Sequence, residues 1–517
     1  MGADDHHEAR PGARASAWLS RPVSGAGLLA LFAGWLALDQ LLLWRFIDIA
    51  PPWLFALGLG GGALLIGAIH RLARASLPDP SLGTLLFCLA LALLLLALGG
   101  EGRFFYANVD WQVRFAVLRD MAVNPWPFVY SVRAVPDVLR APIGMFLVPA
   151  LAFKTWGSRA GDLALLAQNA LLLGLLLTLA SSLFQDRRRQ LSALLIFLIF
   201  SGMDAIGELI VNGHLPDHLD DWANLQYSST ITLAFWVPQH ALAGWAGALA
   251  YLLWRTGRLP LAPFLALLPL TALWSPLGLM GTMPFAALAG LRTLMERRLR
   301  AQDIALPALA TLLCVPTLLY LGAGGEGVGA RLLAIPFQQW LIFQLLETAA
   351  FLVPLALAAR HIRFGRDTFC LMTLWLLAIP FVQIGWSVDF MMRGSIAALA
   401  ILAVMVADHL AEGRPPRLFL LAALIIGSTT GLAEVRRALT NPPAPQVKCS
   451  FFKAWDQNFS MFPKGSYLAP LPDMPRLVAP VRPASIRVRE PARCWDRDWG
   501  PIGAPDPSSG GKNSVER

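Results

Sequence analysis

The chain has 517 residues, 56% of them hydrophobic and only 15% charged, with a formal net charge of +9. Soluble domains carry about 25% charged residues, and disordered chains need low hydrophobicity, so both classes are excluded. Apolar runs of roughly 18–22 residues match a hydrocarbon core about 30 Å thick and predict an all-α polytopic membrane protein. The alternating segments of about ten residues that mark a β-barrel are absent.

Taken in chain order, residues 1–23 form a polar cytoplasmic segment. The first apolar run, from Gly25, lacks a small-residue cleavage site and reads as an uncleaved span. Candidate spans follow near 24–45, 52–69, 81–99, 161–184, 190–209, 233–254, 260–275, 279–295, 303–322, 337–359, 367–385, 394–410 and 416–435. That is about thirteen helices within a membrane domain of 24–435, counted by hydropathy. Arginine fixes the expected sides. Arg71/Arg74, Arg187–Arg189, Arg255/Arg258, Arg297/Arg298/Arg300, Arg360/Arg363/Arg366 and Arg414/Arg417 all fall in loops on the side of the N-terminus, as cytoplasmic loops should. The same clustering in short loops argues against nucleic acid as a partner. Arg436-Arg437, after the last span, is the exception. Residues 142–153 are apolar but short for a span, and counting them would invert every later loop, so they are expected as an interfacial or re-entrant helix on the outer face. The tail, 436–517, is Pro-rich and polar, opens on Asn441-Pro-Pro-Ala-Pro as a linker, and is expected to be partly disordered towards Gly510-Gly511. On this topology it is periplasmic, where a Cys449–Cys494 disulfide is permitted. Cys88, Cys314 and Cys370 lie in apolar spans and read as plain core residues.

Polar chemistry gathers on the outer side. In the long loop within 100–160, Trp111, Phe115, Leu118 and Ala122 form one stripe of a short helix expected to lie in the membrane interface. Asp110 stands at its N-cap position, either capping it or serving as a general base at a cavity mouth. In 202–245, Asp204 and Glu208 are an i, i+4 pair of intramembrane carboxylates. Asp221, Trp222, Gln226, Tyr227, Gln239 and His240 combine aromatic faces with amide and imidazole groups, as sugar-gripping surfaces do; an aromatic interface belt is the plainer reading of Trp222 and Trp236. No spacing here matches a metal motif, so no metal ligand is assigned. Asp389 and Arg393, again i, i+4, either satisfy each other or present a guanidinium to a lipid diphosphate. The Gly-rich segment Gly322 to Gln339, with Glu326 and Arg331, is expected to be mobile and able to cover a cavity.

Four stretches carry a family resemblance: Asn108-Val-Asp110-Trp111, Gln226-Tyr-Ser-Ser229, Phe235-Trp-Val-Pro-Gln-His240 and Asp389-Phe-Met-Met-Arg393. Over roughly 80–435 the chain resembles GT-C superfamily membrane glycosyltransferases, and within them a bacterial branch of polytopic proteins. The resemblance implies transfer of a sugar from a polyprenyl-phosphate donor to a glycan, lipid or protein acceptor at the periplasmic face of the inner membrane. It places Asp110 as the base, with interfacial helices in the same loop. From their place on the expected outer side, Arg393 would meet the donor phosphate, His240 and Gln239 would hydrogen-bond sugar or phosphate, Asp204, Glu208, Asp221 and Trp222 would shape the pocket, and Asp389, Gln226 and Tyr227 would also bind substrate. Val109 departs from the polar residue expected there, and no second acidic residue adjoins Asp110, so no cofactor is implied and a divalent metal is not indicated. The alternatives are a transporter or flippase, suggested by Asp204, Glu208 and Glu347, and a polysaccharide polymerase or ligase.

Overall fold

A computed structural model describes residues 18–324, 329–358, 362–385, 387–486, 490–495 and 499. Glu326, Trp386 and Gly510-Gly511 lie outside these residues. The protein is mostly helical, and every apolar run read as a span contains a helix. Among the described residues, eight helical segments are long and apolar enough to cross a membrane: Gly25–Phe46, Pro52–Ala73, Ser158–Ser181, Arg187–Val211, Pro276–Met295, Gln302–Gly322, Phe337–Leu357 and Arg417–Thr440. Leu82–Leu98, Leu261–Leu270 and Ile396–Ala411 are apolar but shorter. The chain is thus a multi-pass membrane protein. Serine starts several helices: Ser24, Ser81, Ser229 and Ser275 each accept a backbone N–H of the first turn.

Ion pairs define two rims. At one, Arg255 and Arg292 both bind Asp367 (2.5 and 2.6 Å), and Arg363 reaches Asp408 (3.1 Å) and the carbonyl of Leu183 (2.7 Å). Loops far apart in sequence, all rich in arginine, meet there. At the other rim Arg103 pairs with Asp162, and Arg437 pairs with Glu434 (2.9 Å). Arg436 reaches Asp217 (3.4 Å) at that same rim. Both arginines that break the charge rule therefore face carboxylates, which offset their charge locally.

One expectation for the first long loop and one for the tail are revised. The helix Asp110–Val123 does not keep a wet face opposite an apolar stripe: Gln112, Arg114 and Asp120 are buried along with its apolar residues. The reason is the tail, which is no tethered linker. The last membrane helix runs on to Thr440, and the chain then folds back over the loop. Strand β1 (Phe128–Tyr130) and β2 (Asp137–Leu139) come from the loop. A separate pair, β3 (Ala330–Leu332) and β4 (Val382–Ile384), ties two later loops together, so the described part of 322–339 includes a strand seated on its neighbour. The tail supplies β5 (Leu468–Pro470) and β6 (Ala484–Ile486). The four-stranded sheet has the order β5-β2-β1-β6, with β2 antiparallel to both β1 and β5, and β1 parallel to β6. The tail thus clasps the loop hairpin from both edges, and no edge of the hairpin is left open. Cys449 and Cys494 are disulfide-bonded, Cα atoms 4.7 Å apart, and Trp499 donates its indole N–H to Ala107 O (2.9 Å). The segment 142–153 forms the helix Gly144–Trp156, which packs along Ser158–Ser181 after a turn at Gly157. Its thirteen residues span about 20 Å, short of a full crossing.

Asp120 is the polar anchor of this assembly. Its Oδ2 accepts from Tyr130 OH (2.9 Å) and from the Phe451 amide (2.8 Å), and its Oδ1 from Arg119 (3.0 Å). Burial pushes its carboxyl up to about 6, opposed by the Phe451 amide, Arg119 and Tyr130. The folded state therefore favours the protonated form. Its contribution is fully present below about pH 4, the unfolded value, and is lost as pH rises through about 6. Melting curves of wild type and Asp120→Asn from pH 4 to 7 should diverge in favour of the variant, by on the order of 3 kcal/mol across the window. Parallel curves would show that Asp120 does not titrate in the fold.

Candidate functional site

The site begins at a carbonyl. The short helix Thr230–Trp236 ends at Val237, so its last carbonyls, Phe235 O among them, have no partner within it. Phe235 O accepts from Trp111 Nε1 (2.8 Å) and from Asn108 Nδ2 (3.0 Å). Asn108 Oδ1 in turn accepts the Asp110 amide (3.1 Å). These three bonds fix the start of Asp110–Val123. Asp110 is the first helical residue, with Val109 before it, and its side chain does not cap. Instead Oδ2 takes Arg114 Nη2 at 2.7 Å. The Arg114 side chain is 3% exposed and lies over the Trp111 ring (5.4 Å), whereas Asp110 keeps 26% of its side chain open. Arg114 was not foreseen. Its i, i+4 spacing from Asp110 was the available signal.

Three other segments bring groups to this pair. His240, buried in the first turn of Pro238–Arg255, bonds through Nδ1 to Ser275 Oγ (2.8 Å), and the charges of Arg393 and Arg114 both reach its ring. Arg393 pairs with Asp389 at 2.5 Å, and both stay partly open. Gln239 Oε1 is buried without a hydrogen-bond partner among the described residues. The last contributor is Tyr467, carried in by the tail. It lies against Arg114, within reach of the Asp110 and Arg393 charges. Burial raises its phenol above the usual range, with Arg114 and Arg393 pulling the other way. Its carbonyl is held by the Arg140 amide (2.7 Å) and its ring packs on Phe451 and Trp455. Tyr467 had no sequence signal, because the tail shows no periodicity and its strands are three residues long.

The remaining expected site residues gather elsewhere. Asp204 Oδ2 accepts from Ser201 (2.7 Å) and Thr430 (2.7 Å), and its carboxyl meets that of Glu347. Trp222 donates to Glu347 (2.9 Å). Glu347 sits in a π-helical turn, Leu345–Ala349, and faces the break at Phe200–Met203. Gly202 is needed there: a Cβ would overlap the Glu347 carboxylate. Glu208 accepts from Asn212 (2.5 Å), Gln226 donates to Ser228 (3.1 Å), and Tyr227 donates to the Leu376 carbonyl. Asp221 is exposed. No group of three or more His, Cys, Asp or Glu among the described residues is placed to hold a metal ion.

A junction on Glu434 joins the two clusters. Glu434 binds His218 (2.8 Å), Trp236 Nε1 (2.9 Å) and Arg437 (2.9 Å), and His218 stacks on Trp236 at 4.5 Å. Burial alone would lower the His218 pKa, but Glu434, with Asp220 and Asp221, pushes it up to about 9. The imidazolium stabilises the fold fully below about 6.5, and that contribution is lost as pH rises through about 9. Amide exchange in 212–229 should accelerate between pH 7 and 10 beyond its intrinsic pH dependence, and His218→Gln should abolish that excess. An unchanged excess in the variant would assign it to other groups.

No family model, no curated protein and no solved structure matches this chain.

Proposed function

We propose that this protein is a membrane glycosyltransferase that moves a sugar from a polyprenyl-phosphate donor to an acceptor hydroxyl at the rim holding Asp110. The observation that carries this reading is the convergence of Asp110, Arg114, His240, Arg393 and Tyr467, from four separate parts of the chain, on one partly open site. A carboxylate, two guanidiniums, an imidazole and a phenol suit the transfer. Asp110 takes the acceptor proton through Oδ1, because Oδ2 is committed to Arg114. The acceptor oxygen forms its bond to the anomeric carbon as the bond from that carbon to the phosphate oxygen breaks. The electron pair leaves with the polyprenyl phosphate, which Arg393 meets, and the anomeric configuration inverts. Tyr467 and Gln239 bind substrate hydroxyls. The GT-C architecture, about thirteen crossings and a bacterial inner-membrane location belong to this same proposal.

A second reading, a transporter or flippase, is favoured by one feature: the Asp204–Glu347 carboxyl pair beside a broken helix and a π-turn. Transport would place the working groups there, and Asp110 would be dispensable.

Proteoliposomes supplied with a panel of radiolabelled polyprenyl-phosphate sugars test the choice. Wild type should transfer from at least one donor, and Asp110→Asn, which keeps the shape, should lose about 100-fold or more in kcat. Tyr467→Phe should raise KM about tenfold with little change in kcat, the mark of a binding contact. Transfer undiminished by Asp110→Asn would remove Asp110 as base. Absence of transfer from every donor, with uptake abolished by Glu347→Gln, would establish the transporter reading instead.

A further inference from the structure

A cavity of about 1030 Å³ lies at the opposite end of the same helices from Asp110. The first half of Leu82–Leu98 lines it, with the last turns of Ser158–Ser181, the first turns of Arg187–Ile199 and the second half of Pro238–Arg255. The other ends of three of these helices carry the Asp110 rim: Gly99, Asp162 and His240. The cavity therefore opens at the arginine-rich rim, and the candidate transfer site cannot account for it.

Its chemistry is graded along its length. Deep inside, the wall is Leu176, Leu194, Phe197 and Leu249. Phe87 and Leu191 form exposed apolar lips, so the cavity is continuous with the surface that faces lipid tails. At the mouth stand Gln185 and Arg187. Arg187 makes no ion pair among the described residues, whereas its neighbour Arg189 is held by Asp186 (3.1 Å). Arg21 is also close, because residues 21–23 run alongside 80–82 through the Leu82 amide bond to Arg21 O (2.8 Å) and the Pro22–Ser81 bridge. Arg21 and Arg188 are exposed. An apolar slot open to lipid tails and ending at an unpaired guanidinium in a positive field matches an acyl lipid with an anionic head. The volume is at the upper end of the range of about 300–1,000 Å³ for small-ligand sites, so one lipid enters and not a lipid cluster.

We propose that this cavity binds one anionic phospholipid from the leaflet at the arginine-rich rim, with its phosphate on Arg187 and its chains between Phe87 and Phe197. The proposal is independent of the transfer reading, and lipid occupancy is its readout.

Purified full-length protein, extracted from nanodiscs of phosphatidylglycerol or of phosphatidylcholine, would be examined by native mass spectrometry. The expected result is one retained phosphatidylglycerol per chain and no retained phosphatidylcholine. Arg187→Gln should weaken retention about tenfold, the loss expected for one charge-assisted hydrogen-bonding contact. Ala248→Trp, which fills the slot, should abolish it while leaving Arg187 in place. Arg187→Gln should melt with the wild type, since Arg187 makes no ion pair among the described residues; Ala248→Trp, at a position 2% exposed, should lower the melting temperature by overpacking, and retention is compared below both transitions. Equal retention of both lipids, retention unchanged in either variant, or displacement of phosphatidylglycerol by an equimolar polyprenyl phosphate would each overturn the proposal.

Discussion

Much of the architecture around Asp110 depends on the carbonyl of Phe235. A helix that stops within a membrane protein leaves a carbonyl to be satisfied, and hydrocarbon provides nothing to bond it. Here the indole of Trp111 and the amide of Asn108 do so. Those two donors place the first turn of Asp110–Val123, and that turn places the Asp110–Arg114 pair. One residue on, Trp236 holds Glu434 and stacks on His218. The helix Thr230–Trp236 is thus a spine with the candidate transfer site on one side and the carboxylate junction on the other. Changes at its end should be felt by both clusters through bonded groups.

The hydrocarbon-matched parts were legible because a single physical rule governs them. Runs such as Leu82–Leu98 and Arg417–Thr440 have to be helices if they are to satisfy their backbone in lipid. The arginine-rich loops expected to share a side do gather: Arg255, Arg292 and Arg363 meet at one rim through Asp367 and Asp408. Even the exception has a physical cause, since Glu434 and Asp217 offset Arg437 and Arg436. Of the candidate site, Asp110, His240 and Asp389–Arg393 stood out as polar groups in conspicuous motifs, and the fold brings Asp110, His240 and Arg393 together.

What was not legible depends on non-local pairing. The strands β1, β2, β5 and β6 are each three residues long, too short for alternation to register. The tail strands β5 and β6 pair with the loop hairpin more than 300 residues away. The role of the tail, and with it Tyr467, exists only in the pairing. Likewise Asp204 and Glu208 look like one acidic face in sequence, yet Asp204 turns to Glu347 and Glu208 to Asn212. Burial in a membrane makes any available polar neighbour a partner, and sequence spacing does not say which one is nearest.

The clasp of β5 and β6 around the loop hairpin also bears on biogenesis. The hairpin and Asp110 are made early, in the first third of the chain, whereas Cys449, Tyr467 and Cys494 are made only after the last membrane helix. Until the tail reaches the same side of the membrane, the hairpin has two open edges and Arg114 lacks its phenol neighbour. The loop must wait through the insertion of every later helix. A chain stopped short of the tail therefore holds an incomplete candidate site, and the tail completes it only after every membrane helix up to Thr440 has been inserted.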